Sequence, residues 1–304
     1  MAEWLLHDRT LRELILRADV ELLEPLRVGR GRAITLSSPT DLPVVKVRIG
    51  GQEVPVIPGS SWKGVFRSTA YKLAPLRRLG HKVCTGLAGR GEAAPCFDKE
   101  VEPRTSLSEK IDKLEQGDEL GGPQEAAKLI MERACILCKV FGSVSYASHV
   151  YFADSPPKKG QFRLGYRTMV SLDRRTGTVA PRRLFTPEYV EPGSIFSFEL
   201  RALNLPNYAL GLLADVIEEI QAGRVRIGGF KSRGFGKVRF TNLSADIYDF
   251  KAGGRPGKLS ALDDYDEEVD VLGQPWSRHE DALELLRALR EVWIRVAPNL
   301  PGPS

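Results

Sequence analysis

An α+β fold is expected, a ferredoxin-like sheet with helices on one face, and three observations predict it. Residues 193–203 (GSIFSFELRAL) and 237–247 (KVRFTNLSADI) alternate apolar and polar side chains with the period of a strand. Between them, residues 208–222 (YALGLLADVIEEIQA) repeat with the period of a helix and turn Leu210, Leu213, Ile217 and Ile220 inward. The chain as a whole runs strand, helix, strand, helix, strand, and one more strand from its middle completes the sheet.

In chain order, residues 14–29 (LILRADVELLEPLRVG) read as a strand, after a short helical start, that ends in a loop at Gly29 and Gly31. Residues 54–78 supply a proline-bounded strand, a turn at Pro58 and Gly59, an N-cap at Ser60 or Ser61, and a helix. On that helix Val65, Phe66, Ala70 and Leu73 form the apolar stripe, while Lys63 and Arg67, four apart, share another. Residues 79–150 interrupt the core as an insertion: glycine, proline and charge first, then a helical pattern over 124–142 (QEAAKLIMERACILCKVFG), with all four cysteines inside. The domain so outlined spans 1–249. Residues 250–304 follow as an acidic linker (Asp263, Asp264, Asp266, Glu267, Glu268, Asp270), expected to be solvated, and a C-terminal helical appendage over 279–296.

The 304 residues are 42% hydrophobic, enough for a substantial core, which excludes disorder for the bulk of the chain. Apolar runs of membrane-spanning length are absent, and the charged start MAEWLLHDRTLRELIL does not read as a signal peptide, so a cytoplasmic, unanchored protein is expected. Four cysteines at this length argue against a disulfide framework. Lys+Arg 44 against Asp+Glu 39 gives +5, and the excess is segregated: from Arg27 to Lys82 a dense series of cations faces only Asp41 and Glu53. Further basic regions at 158–183 and 224–239 point to a polyanionic partner.

Two segments carry anion-binding chemistry. Residues 227–237 (IGGFKSRGFGK) combine Gly228, Gly229, Gly234 and Gly236 with Lys231, Arg233 and Lys237, so the backbone approaches a phosphate closely while the cations neutralise it. At least one of Phe230 and Phe235 is expected in the core. Residues 55–68 (PVIPGSSWKGVFRS) turn a strand into a helix whose first turn offers free N–H groups and hydroxyls. The P-loop spacing GxxxxGK[ST] is absent, which excludes that ATPase class, and no Rossmann fingerprint, HExxH helix or Ser/His/Asp set is present. His7, His149 and His279 read as structural. Cys135-x-x-Cys138, His81-x-x-Cys84 and Cys96 make five candidate ligands where a tetrahedral zinc needs four. Cysteines buried as small apolar residues, or a Cys84–Cys96 disulfide, are the alternatives.

Taken together, the glycine loop after the first strand (Val28 to Gly31), Asp41-Leu42-Pro43-Val44, the turn Ile57-Pro58-Gly59-Ser60-Ser61-Trp62-Lys63-Gly64, Phe141-Gly142 and the loop from Ile227 to Val238 resemble the RAMP superfamily of CRISPR-associated proteins. The resemblance covers about 20–247 and is strongest to backbone subunits of type III effector complexes. It implies an RRM-like, ferredoxin-type core that assembles as a homo-oligomer along a CRISPR RNA, beside other effector subunits, and displays the guide to target RNA. The RNA contacts it implies are Arg27, Arg30, Ser60, Ser61, Lys63, Arg67, Lys231, Arg233 and Lys237, with Gly228, Gly229, Gly234 and Gly236 shaping the loop. The chain lacks the aromatic signatures of a base-reading RRM, so sequence specificity is expected from the guide. The resemblance further implies that Asp41 cleaves target RNA, with Mg²⁺ or another divalent metal. Arg27 stands where the family often has a histidine, replacing a proton-transfer group by a phosphate clamp. A structural zinc is implied in the insertion, on Cys84, Cys96, Cys135 and Cys138 with His81 as substitute. The alternatives are a non-cleaving capping or lateral subunit, and a standalone endoribonuclease processing CRISPR precursor RNA; the lack of a motif-placed histidine weighs against the latter.

Overall fold

Alternate side chains of RELILRADVEL point inward, and this stretch forms the central strand β1 (Arg12–Leu22), burying Leu14, Leu16, Ala18, Val20 and Leu22. It is extended from Arg12 onward, so the short helical start expected there is not formed, and it ends at Leu22, ahead of the glycine loop. The structure is a computed structural model and describes residues 2–30, 40, 42–87, 95–117, 120–158, 160–173, 175–250, 257–271, 276–279 and 282–303, with backbone only at 81, 171–172, 179–183 and 276–278. After β1 come the hairpin β2 (Lys46–Ile49) and β3 (Gln52–Pro55) and helix α1 (Gly59–Leu73). The insertion holds β4 (Glu100–Glu102), β5 (Thr105–Ser106), α2 (Leu107–Gln116), α3 (Gly122–Arg133) and α4 (Ile136–Phe141). Strands β6 (Val150–Phe152), β7 (Leu164–Tyr166), β8 (Met169–Leu172), β9 (Val179–Phe185), β10 (Glu188–Val190) and β11 (Ile195–Leu203) lead to α5 (Asn207–Gln221) and β12 (Val238–Asp249). The last elements are β13 (Lys258–Leu259), β14 (Val269–Asp270), β15 (Trp276–His279) and α6 (Leu283–Val296).

Five strands make one antiparallel sheet in the order β15-β12-β1-β11-β6, with Leu16 opposite Leu200 of β11 and Ala245 of β12. On its apolar face Trp62 of α1 packs edge-on against Phe198 at 5.0 Å, and Phe198 lies 4.8 Å from Phe240. The opposite face is a lattice of ion pairs. Arg17 meets Glu199 at 2.8 Å and Asp246 at 2.5 Å, Arg239 meets Glu21 and Lys158 meets Asp19 at 2.6 Å each, and Arg201 pairs with Glu13.

Four further local expectations are revised. No serine side chain caps α1: Pro58 is the N-cap, and Asp154 accepts the Gly59 N–H at 2.8 Å, so the cap comes from a distant loop. The pattern over 124–142 splits into α3 and α4, because Ala134 and Cys135 are extended. The acidic segment folds back on the body. Asp263 accepts from Trp4 Nε1 and Tyr208 Oη at 2.7 Å each, and Asp266 caps α5 through the N–H groups of Asn207 and Tyr208 at 3.0 and 3.2 Å. Finally, α6 begins at Leu283 while His279 belongs to β15, and α6 covers α5 closely: a Cβ on Gly211 would sit 2.1 Å from the Leu289 carbonyl. Asp215 secures this contact by accepting from Arg77, Arg290 and Trp293. Among the described residues no helix is long and apolar enough to cross a membrane.

Candidate nucleic-acid interface and metal centre

Two loops lock together at one end of the sheet. Backbone pairs hold Leu26 to Val190, the Gly229 N–H donates to the Arg27 carbonyl at 2.7 Å, and the Gly236 N–H donates to that of Pro25 at 2.9 Å. Gly228 (φ +74°) and Gly236 (φ +95°) need to be glycine, since an added Cβ would lie 2.4 Å from the Arg27 oxygen and 2.1 Å from that of Ile227. Phe235 enters the core, whereas Phe230 stays half-buried in a left-handed backbone conformation. The guanidinium groups of Arg27 and Arg233 lie 5.1 and 5.3 Å from the centre of the Phe230 ring. Burial lowers the pKa of Arg27, whose Nε is buried without a hydrogen-bond partner.

Facing this loop, α1 presents the stripe Ser61, Gly64, Ser68, Lys72, spaced at helical intervals. Between stripe and loop lies a recess of about 340 Å³ whose polar and glycine lining is Gly29, Ser61, Gly64, Ser68, Gly228, Gly229 and Lys231, with Val28 and Val65 as its apolar wall. It adjoins one of about 400 Å³ that shares Ser68 and Lys231 and adds Lys72, Arg224 and Arg226. Arg224 and Arg226 are neutralised by Glu219 and Glu24. Lys231 forms no ion pair among the described residues, although Glu219 lines the second recess, and burial together with repulsion from Lys72 lowers its pKa. A recess of hydroxyls, glycine backbone and unneutralised ammonium groups suits a phosphodiester.

The nominated RNA contacts separate in space. Ser61, Gly228, Gly229 and Lys231 line the recess and Arg27 flanks it; Gly234 and Arg233 are on the exposed side of the loop, and Gly236 is internal. Ser60 and Arg30 are exposed outside the recess lining, and the Lys237 side chain passes over Gly223. Lys63 and Arg67 each precede a recess residue, Gly64 and Ser68, by one position, a turn of about 100° round α1 that takes both away from the recess. Burial, then the nearby Arg67 charge, lowers the pKa of Lys63. Lys72 was the contributor not singled out from the sequence; the series of small residues at 61, 64 and 68 running into it was the available signal. Asp41 lies outside the described residues. Its neighbours Thr40 and Leu42 are tied by hydrogen bonds to Thr186 and Glu188.

On the insertion side, the sulfurs of Cys84, Cys96, Cys135 and Cys138 all lie within 4.8 Å of one another, and the last three are buried. Cys84 is 3.2 Å from Cys138 and 3.7 Å from Cys135, and the four are free of disulfides. The break between α3 and α4 permits this, placing Cys135 at the N-cap of α4 and Cys138 one turn in. Hydrogen bonds from Cys135 and then Cys138 pull the Cys84 thiol far below its usual pKa. The bond from Cys138 brings Cys135 down to about 7, while bonding to Cys135 pushes Cys96 and Cys138 up. Tetrahedral Zn–S bonds of about 2.3 Å place sulfurs about 3.8 Å apart, so the set fits a zinc ion. Four sulfurs suit zinc and not magnesium, which takes oxygen donors. The side chain of His81 lies outside the described residues.

The model of the RAMP superfamily matches residues 19–239, from within β1 to the start of β12. The chain belongs to the RAMP superfamily. It is a CRISPR-associated protein with an RNA-binding role, and the matched span contains both interlocked loops, α1 and the whole cysteine insertion. A comparison with curated proteins gave no match.

Proposed function

We propose that this RAMP protein is a cytoplasmic backbone subunit of a type III CRISPR effector complex, holding the guide RNA by its phosphates in the recess between α1 and the glycine loop. The observation that carries this reading is the contrast between two surfaces. The open sheet face has its cations paired with acids, whereas Lys231 and Lys72 at the recess form no ion pair among the described residues, Glu219 beside them being taken up by Arg224. The core order β1-α1-β6-β11-α5-β12, with sheet neighbours β12-β1-β11-β6, supports a ferredoxin-like, RRM-like core. Phosphate binding of this kind is blind to sequence, as a subunit repeated along one guide requires.

Cleavage of the paired target RNA is assigned to Asp41 on the resemblance of Asp41-Leu42-Pro43-Val44. The carboxylate would orient a ribose 2′-hydroxyl for in-line attack: the 2′-oxygen loses its proton to solvent and bonds to phosphorus, and the bond to the 5′-oxygen breaks as that oxygen takes a proton from solvent, leaving a 2′,3′-cyclic phosphate and a 5′-hydroxyl. Zinc on Cys84, Cys96, Cys135 and Cys138 would cross-link the insertion, and four protein ligands leave no open position for water.

The test is binding of unrelated single-stranded RNAs by wild type and Lys231→Ala across a salt series. The variant is expected to weaken all RNAs alike and to lower the slope of log affinity against log salt by about 0.7. An unchanged slope refutes the recess as the phosphate site. In the assembled guide complex with Mg²⁺, Asp41→Ala is expected to abolish target cutting with guide binding intact; retained cutting moves the chemistry to another chain.

A further inference from the structure

Helix α1 touches both candidate sites, and Arg67 is the side chain that joins them. Its Nη1 donates to the Gly142 carbonyl at 2.7 Å and its Nη2 to the sulfur of Cys138 at 3.3 Å. A third side of the guanidinium rests on Gly86, where an added Cβ would lie 2.3 Å from Nη2. Gly86 follows Cys84 by two residues, and Gly142 ends the helix that carries Cys138. One planar group therefore fastens together the two chain segments that supply these cysteines. Gly142 is itself constrained (φ +74°), since a Cβ there would meet the Tyr146 carbonyl at 2.7 Å.

Charge adds a second argument. Four thiolates around one divalent cation leave a net charge of about −2 in a largely buried site, a costly arrangement unless hydrogen bonds and cations offset it. Lys139, the buried neighbour of Cys138, directs its ammonium to the carbonyl and sulfur of Met131. Arg67 instead donates a hydrogen bond to a ligand sulfur, as an outer partner that orients a ligand and tunes its basicity does.

We propose that Arg67 is a positioning residue of the metal centre and not a phosphate contact, and that through it the loaded centre fixes α1 against the insertion. This rests on reading the four cysteines as a metal site. Ser68, the next residue, lines both recesses, so the pose of α1 set on one side governs the RNA-facing stripe on the other.

The experiment compares wild type, Arg67→Met and Arg67→Lys for zinc retention against a chelator, for the thiolate-to-cobalt charge-transfer band after Co²⁺ substitution, and for the salt slope of RNA binding at saturating zinc. Arg67→Met is expected to lose about 10–100-fold in metal affinity and shift the cobalt band to lower energy, with the salt slope unchanged. Arg67→Lys should fall between, because one ammonium keeps the charge but cannot span both acceptors; it also serves as the test if the methionine variant does not fold. Retention and band equal to wild type in the variants overturn the proposal, as does a slope lowered by about 0.7, which would place Arg67 on a phosphate. A wild-type chain that takes up neither zinc nor cobalt overturns the metal reading and this proposal together.

Discussion

Acidification should weaken the fold through one buried imidazole. His149 is fully buried, with Nδ1 3.0 Å from the Leu203 carbonyl, Nε2 3.0 Å from Tyr146 Oη and the His7 ring stacked on it at 4.3 Å. Burial, then repulsion from His7, lowers its pKa from 6.5 to about 3. A histidine depressed in the native state contributes stability that is full above 6.5 and is lost as the pH falls, because only the unfolded chain takes up the proton. Between pH 7.5 and pH 5.0 the unfolded histidine gains about 1.5 pH units of protonation at about 1.36 kcal/mol each, a loss of about 2 kcal/mol. That corresponds to about 3 °C in melting temperature for a chain of this size. Urea unfolding followed by fluorescence of the buried Trp4 and Trp62, repeated across this range, reads the effect. His149→Gln removes the titrating group, so wild type should lose about 2 kcal/mol more than the variant between the two pH values, other titrations cancelling. Parallel curves would refute the argument and mean that His149 takes up its proton inside the fold.

Two glycine substitutions test the packing. Gly236→Ala places a side chain at φ +95° against the Ile227 carbonyl; it should cost about 1–3 kcal/mol and weaken RNA binding for every sequence, read by urea unfolding and filter binding. Unaltered binding would separate the loop from the RNA. Gly211→Ala should be destabilising by about 1–3 kcal/mol despite a helix-propensity gain of about 1 kcal/mol, because the α6 backbone must give way; a raised melting temperature would contradict the close α5–α6 packing.

Much of this molecule is legible in its sequence. Period-two alternation located β1, β11 and β12, the helical repeat located α5, and the order of motifs led to the RAMP superfamily because each reports a local constraint. The glycines of 227–237 likewise announced a loop with positive φ and close backbone approach.

Tertiary structure decided what local pattern cannot encode. Lys63 and Arg67 were expected to share a face, but only the docking of α1 shows which face meets the recess, and it is that of Ser61, Ser68 and Lys72. Cys84, Cys96, Cys135 and Cys138 converge from three chain segments because Ala134 and Cys135 break a helix that periodicity would continue. The acidic stretch read as solvated because composition counts charge, whereas Asp263 and Asp266 meet donors from Trp4, Asn207 and Tyr208 that only the fold brings to them. The physical reason is the same in each case. Sequence periodicity reports the local geometry of an element, while the partner of a face, a thiol or a carboxylate is set by long-range packing.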